Sequence, residues 1–129
     1  MDSAVLFVSP HLEDVQSLSS ILAETSVGIV HAINLKDATR KLDSEWYPVV
    51  LTEASLEDGG WQDLLNLTRA LGSELVVTDL WADSRFWAEA INLGAYDLLA
   101  QPFQQTEVRR VLAGASARKK EGKVIRAAS

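Results

Sequence analysis

Five short apolar runs, each followed by a stretch of helical spacing, set what this chain can fold into. Residues 4–8, Ala-Val-Leu-Phe-Val, are continuously apolar, the mark of a strand buried on both faces. Residues 12–25 then place Leu12, Val15, Leu18, Ile21 and Leu22 along one side of a helix. Residues 27–32 read as a second, more polar strand, and Asn34 is placed to cap a short helix carrying Leu35, Ala38 and Leu42. A third strand spans 48–52. Gly59-Gly60 marks a loop or turn, and Trp61, Leu64, Leu65, Thr68 and Leu71 form a helical face stopped near Gly72. The fourth strand covers 75–78. Asp83 or Ser84 caps a helix with Phe86, Trp87, Ala90 and Ile91 inward, ending at Gly94. Residues 96–100 make the fifth strand, and a last helix runs from 106 to about 119 with Val108, Val111, Leu112 and Ala115 inward.

Such alternation predicts one parallel sheet with helices on both faces, joined by right-handed crossovers. Function in such a sheet gathers at the carboxyl ends of the strands, near the point where strand order reverses. Residues 4–116 are expected to form a single domain and 117–129 a basic C-terminal extension or linker. The 129 residues are 47% hydrophobic and 23% charged, an ordinary globular mix. No apolar run approaches the roughly 20 residues of a membrane span, and residues 1–20 lack the pattern of a signal peptide. The chain has no Cys, which excludes disulfides and thiolate zinc sites. A cytoplasmic protein is expected.

The net charge of −6 is uneven. Residues 109–129 carry seven basic residues against Glu121 alone, so that stretch is +6 and the body −12. An acidic body argues against nucleic acid as the ligand of this domain. The basic stretch reads as a solvated helix end favoured by the helix dipole.

Two longer phrases carry a resemblance. Residues 53–61 read Glu-Ala-Ser-Leu-Glu-Asp-Gly-Gly-Trp, and 94–103 read Gly-Ala-Tyr-Asp-Leu-Leu-Ala-Gln-Pro-Phe. With the alternation over 4–115, they resemble the receiver domain of two-component response regulators. The first is similar to that family's Asp-x-x-Leu-Pro-Asp-Gly-x-Gly stretch, with Glu57 in place of proline. The second is similar to its Gly-Ala-x-Asp-Tyr-Leu-x-Lys-Pro-Phe ending. The resemblance implies a flavodoxin-like three-layer α/β/α sandwich with a five-stranded parallel sheet in the order 2-1-3-4-5.

The resemblance also implies a reaction, transfer of phosphate from a histidine kinase to the domain's own aspartate. That chemistry uses an acidic pair after the first strand to hold Mg²⁺, an Asp nucleophile after the third, a hydroxyl after the fourth and a lysine after the fifth. Here the acidic pair falls on Ser9 and Pro10, and the nucleophile position on Glu53. The hydroxyl position falls on Asp79, with Thr78 adjacent, and the lysine position on Gln101. Losing the metal pair and the lysine together removes both cationic partners of a phosphoryl group, each donor being worth about 3–4 kcal/mol in the transition state. The expectation is a degenerate pseudo-receiver, not an enzyme, with no cofactor and no metal.

Several residues stay open to more than one reading. Glu53 either imitates a phosphoaspartate or is an acid at a strand end facing water, and Asp79 nearby would make it half of a like-charge pair. His11, alone after the first strand, is read as a loop or cap residue, and His31 as structural. Asp58 is placed to cap the helix bearing Trp61. Trp81 precedes the fourth helix, in the region typical receivers use to signal. With Tyr96, Leu98 and Phe103 it marks a candidate docking face of helix four, strand five and helix five. Tyr96 and Leu98 are expected on the same face of the fifth strand. Trp46 is read as packing against a loop.

The leading reading is a non-catalytic signalling module, docking a protein partner, a second copy, or a fused or separate output domain. The alternatives are a receiver phosphorylated at Asp58 or Asp79, and a flavodoxin-like small-ligand sensor. The sensor reading lacks a glycine-rich phosphate cradle after the first strand.

Overall fold

The computed structural model describes residues 4–128, with side chains through Arg118. The elements run β1 (Ala4–Val8), α1 (Leu12–Leu22), β2 (Gly28–Ala32), α2 (Leu35–Ser44), β3 (Val49–Glu53), β4 (Ser55–Leu56), β5 (Gly59–Gly60), α3 (Trp61–Leu71), β6 (Glu74–Asp79), α4 (Ser84–Leu93), β7 (Asp97–Ala100) and α5 (Gln105–Ala128). Five strands form a parallel sheet in the order β2-β1-β3-β6-β7. The expected order 2-1-3-4-5 counted five strands. Two more lie between the third and fourth, so in chain numbering the order reads 2-1-3-6-7. The additional pair, β4 and β5, is an antiparallel ribbon with Ser55 opposite Gly60 and Leu56 opposite Gly59. Gly59-Gly60 is therefore a paired segment rather than a plain turn, and a two-residue strand is too short to leave a period in the sequence.

Strand alternation sends successive side chains to opposite faces, and each face has its own core. Leu6, Val8, Val50, Leu75, Val77 and Leu98 meet Ala38, Leu42, Trp61, Leu64, Leu65 and Ala90, so α2, α3 and α4 cover one side. Val5, Phe7, Val49, Leu51, Val76 and Leu99 meet Leu18, Ile21, Leu22, Val108, Val111, Leu112 and Ala115, so α1 and α5 cover the other. The result is a three-layer α/β/α sandwich. At an order of 1.5–3 kcal/mol per fully buried large aliphatic side chain, these two layers are its main driving force.

The caps follow sequence chemistry. Asn34 accepts from Asp37 N–H at 2.8 Å and Asp83 from Phe86 N–H at 2.8 Å, opening α2 and α4. Gly94 closes α4 in the left-handed region at φ 118°, where an added Cβ would sit 2.5 Å from the Arg69 guanidinium. Asp58 does not cap α3, contrary to the expectation from the sequence. Its two carboxylate oxygens instead accept from Leu35 and Lys36 N–H at 2.8 and 2.9 Å, serving the start of α2. Those two N–H groups, Lys36 foremost, hold its carboxyl below the usual range. At the head of α3 the reciprocal bond comes from Asp63, which accepts from Gly60 N–H at 3.0 Å.

Three residues expected inward are exposed: Leu12, Leu71 and Trp87. Leu12 opens α1 and Leu71 closes α3, where the stripe runs past the sheet. Trp87 lies on the flank of α4 above the edge strand, its indole N–H donating to Asp97 at 3.0 Å. Of the basic residues over 109–129, Arg109 donates to the Ile21 carbonyl at 2.8 and 3.1 Å, and Arg118 pairs with the buried Glu74 at 3.1 Å. The backbone of α5 continues through Ala128, across the expected boundary at 116. The side chains of Lys119, Lys120, Lys123 and Arg126 lie outside the described residues.

Candidate functional site

The strand order reverses at β1, which lies between β2 and β3. The crevice beyond the carboxyl ends of β1 and β3 is thus the switch point of the sheet. Period two fixes what lines it on the α1/α5 side. Ser9, Glu53 and Thr78 each stand two residues past a core residue of that face, namely Phe7, Leu51 and Val76. The register pairs Phe7 with Leu51 and Glu53 with Thr78, so the three form a row across β1, β3 and β6. Gln101 follows two residues after Leu99. All four are buried, an unusual gathering of polar groups for a sheet interior.

The hydroxyl position, expected from the sequence at Asp79 with Thr78 adjacent, is therefore corrected to Thr78. Asp79 takes the opposite face of β6, where it lines an open hollow of about 490 Å³ with Ser55, Gly59, Gln62, Asp63 and Glu89. Its carboxylate accepts from Trp81 N–H at 3.2 Å. Asp79 is not the like-charge neighbour of Glu53.

Glu53 does not face water; only 8% of it is exposed. Its Oε2 accepts from the Ser9 hydroxyl, and its Oε1 lies 2.9 Å from His11 Nδ1. The Ser9 hydroxyl also accepts from His11 N–H at 3.0 Å, which fixes the turn into α1. Asp14, one helical turn after His11, brings Oδ2 to 3.6 Å from the same Nδ1. The acid beside Glu53 is thus Asp14. Burial raises the Glu53 carboxyl above its ordinary value, the Ser9 bond opposes this, and the Asp14 carboxyl adds to the rise. Donating to Glu53, and the negative charge there, raise His11 in turn. His31 holds the other side of the turn, its Nε2 2.7 Å from the Ser9 carbonyl.

His11 was read from the sequence as a loop or cap residue. It occupies the N-cap position of α1 but makes no side-chain cap bond; its ring is turned to Glu53. Asp14 was not singled out. The signal that could have found it is the i, i+3 spacing of His11 and Asp14 at a helix start directly after a strand. One ligand atom from each of His11, Asp14 and Glu53 lies within 4.8 Å of the other two.

The Mg²⁺ implied by the resemblance does not fit the donors here. A hard cation wants several carboxylate oxygens. Ser9 offers a hydroxyl already given to Glu53, exposed Pro10 offers no side-chain donor, and the ligand atom beside Glu53 and Asp14 is the His11 nitrogen rather than a third carboxylate oxygen. Gln101 brings a neutral amide where a phosphoryl group would need a cation. The buried Thr78 hydroxyl has no hydrogen-bond partner among the described residues.

The docking-face residues separate. Trp81 is 81% exposed, and Leu80 beside it is 68% exposed. Of the residues expected at the surface, Leu98 is corrected to a core position and Phe103 to a half-buried one. Leu98 is buried among the α2–α4 layer, and Phe103 packs edge-on against Phe7 with ring centroids 6.1 Å apart. Tyr96 packs with the α1/α5 layer, so it does not share a face with Leu98. Its ring lies under the Arg118 guanidinium at 5.8 Å. Trp46 donates to the Leu71 carbonyl at 3.0 Å while remaining 43% exposed. No helix among the described residues is long and apolar enough to cross a membrane.

No family model matches the chain. No curated protein matches it either. Solved structures do. The signal receiver domain of an HD domain-containing protein from Pseudomonas fluorescens Pf-5 superposes with a TM-score of 0.84 at 21% identity, covering 94% of this chain and 91% of that one. A response regulator receiver domain protein from Methanospirillum hungatei gives 0.82 at 16% identity, covering 95% and 99%. A two-component response regulator from Clostridium difficile gives 0.80 at 21% identity, covering 90% and 97%. At these identities the likeness is one of fold, the flavodoxin-like fold of receiver domains.

Proposed function

We propose that this protein is a receiver-like signal transduction module that acts by protein–protein docking, without Mg²⁺-dependent aspartyl phosphorylation. One observation carries the reading: the carboxylate at the phosphoacceptor position, Glu53, is buried and already engaged by Ser9 and His11. An acyl phosphate forms when a carboxylate oxygen attacks phosphorus, and that oxygen must be free and the incoming charge neutralised. Here Ser9 and His11 fill the place of an incoming group, and Gln101 brings no charge. The scaffold is otherwise retained, with the receiver fold intact around the altered row. The module is not an enzyme in this reading and needs no cofactor.

The docking surface is placed around the start of α4. Leu80, Trp81 and Trp87 expose apolar area there. Such aromatics are effective anchors for a protein partner or a second copy. An output domain, fused or separate, is a partner of the same class. The cytoplasm is the compartment this reading assigns.

The test is incubation of the full chain with acetyl phosphate and Mg²⁺, followed by intact mass. No adduct is expected. A labile gain of about 80 Da, one phosphoryl group, would overturn the reading. Its loss in Asp58→Asn or Asp79→Asn would then assign the acceptor. Both oxygens of Asp58 are spent on the start of α2, which speaks against that residue.

A further inference from the structure

We infer that His11, Asp14 and Glu53 form a binding site for a divalent transition metal of the nitrogen- and oxygen-preferring class, with Zn²⁺ as the ion it fits. The inference deepens the reading above and rests on it, since a phosphoryl group would need the same Glu53 carboxylate.

The donor set is one imidazole nitrogen and two carboxylates, with no thiolate in the chain. Imidazole with carboxylate suits Zn²⁺, Co²⁺ and Ni²⁺, whereas Mg²⁺ demands oxygen ligands in near-ideal octahedral geometry. Three protein ligands leave a position open for water, as in Zn²⁺ sites that are not purely structural.

The spacing is close to what such an ion requires. Tetrahedral bonds of about 2.0–2.2 Å set ligand atoms about 3.3–3.6 Å apart. The observed separations from His11 Nδ1 are 2.9 Å to Glu53 and 3.6 Å to Asp14. Opening by a few tenths of an ångström needs only rotation of the His11 ring, which is half exposed. Exposure falls from His11 through Asp14 to Glu53, at 55%, 29% and 11% of the side chain, so the ligands line a path from solvent inward.

The electrostatics agree. A neutral imidazole and two carboxylates carry −2, which a divalent ion balances. Without it the buried Glu53 and the partly buried Asp14 bring two carboxylates to one imidazole. The start of α1 opposes a cation through its dipole, and the ligand Asp14, in its first turn, offsets that.

A second observation points to the same place. Thr78, fully buried, stands directly beside Glu53 in the register, and its hydroxyl is without a partner among the described residues. A buried hydroxyl left unpaired is costly. A metal-bound water in the open position would supply one.

The experiment strips the full chain with EDTA, exchanges the buffer, and titrates it with Co²⁺ while recording the visible d–d bands. Zn²⁺ and Mg²⁺ are titrated separately by calorimetry. One equivalent of Co²⁺ and of Zn²⁺ is expected, both bound more tightly than Mg²⁺. His11→Gln and Asp14→Asn each weaken binding about tenfold or more, the scale on which even supporting residues act. Glu13→Gln, which removes the same charge from the same helical turn, leaves the affinity unchanged. Circular dichroism confirms that each variant is folded.

Absence of Co²⁺ binding would overturn the site. So would binding indifferent to His11 and Asp14, or Mg²⁺ binding as tight as Zn²⁺. These failures leave the docking reading standing, whereas a phosphoryl adduct would remove that reading and leave the Co²⁺ titration to be judged by itself.

Discussion

Two hydroxyls in one row should respond to deletion with opposite signs. Ser9 and Thr78 are both fully buried at the carboxyl edge of the sheet, on either side of Glu53. The Ser9 hydroxyl gives its hydrogen to Glu53 and accepts from His11 N–H. Ser9→Ala leaves a buried carboxylate oxygen and a backbone N–H unpaired, a loss of about 1–3 kcal/mol. The Thr78 hydroxyl is unpaired, so Thr78→Val removes the desolvation penalty while nearly keeping the shape. A gain on the same scale of about 1–3 kcal/mol follows. The two variants should then lie about 2–6 kcal/mol apart. For a chain of this length that is roughly 3–6 °C in Tm per kcal/mol. Urea unfolding of metal-free protein at neutral pH, with midpoint and slope fitted together, measures both. A Thr78→Val protein less stable than the parent would show that the hydroxyl is paired in solution. The orphan in the row, and the argument drawn from it, would then be refuted.

Gly94→Ala should cost about 1–2 kcal/mol, since alanine is strained at φ 118° and its Cβ meets Arg69; thermal melts read it, and a neutral result would mean that α4 ends differently. Asp37 gives a pH signature. Burial pushes its carboxyl up, but the Ile33 N–H and the Arg40 and Lys41 side chains outweigh this and bring it down to about 2. A lowered folded value means that its contribution is complete above the unfolded value of 3.8 and is lost as pH falls through about 2. Asp37→Asn should therefore flatten the acid limb of the urea midpoint between those values, and an unchanged limb would contradict the assignment. At the docking surface, Trp81→Ala should leave the unfolding free energy within about 0.5 kcal/mol of the parent, as for exposed positions generally. A large loss would show that the indole packs on the fold rather than waiting for a partner.

Much of the fold was legible because its signals are periodic. The runs at β1, β3 and β6 are apolar on both faces, which only a covered parallel sheet explains. Asn34, Asp83, Gly72 and Gly94 punctuate the helices by local chemistry that does not depend on tertiary context. What failed was the edge of each pattern. Leu12, Leu71 and Trp87 share the helical spacing of core residues, but spacing does not say where the sheet beneath a helix ends. Leu98 and Phe103 were assigned outward by analogy and are inward by packing. The β4–β5 ribbon is two residues long on each side, too short for any period.

The site was legible in position and not in partnership. Counting along the strands leads to Ser9, Glu53 and Gln101, which the fold brings buried to one edge of the sheet, and Thr78 displaces Asp79 once the register with Glu53 is known. The approach of His11 and Asp14 to Glu53 joins residues about forty positions apart. The i, i+3 spacing of His11 and Asp14 is local, but their meeting with Glu53 depends on how α1 leaves the sheet.

The most direct measurement of the central claim is the response to beryllofluoride with Mg²⁺, which together imitate a bound phosphoryl group. A competent acceptor at a hundredfold excess over Kd would gain about 2.7 kcal/mol of stability. The account predicts an unchanged urea midpoint at every concentration. A saturable rise that disappears in Glu53→Gln would contradict it.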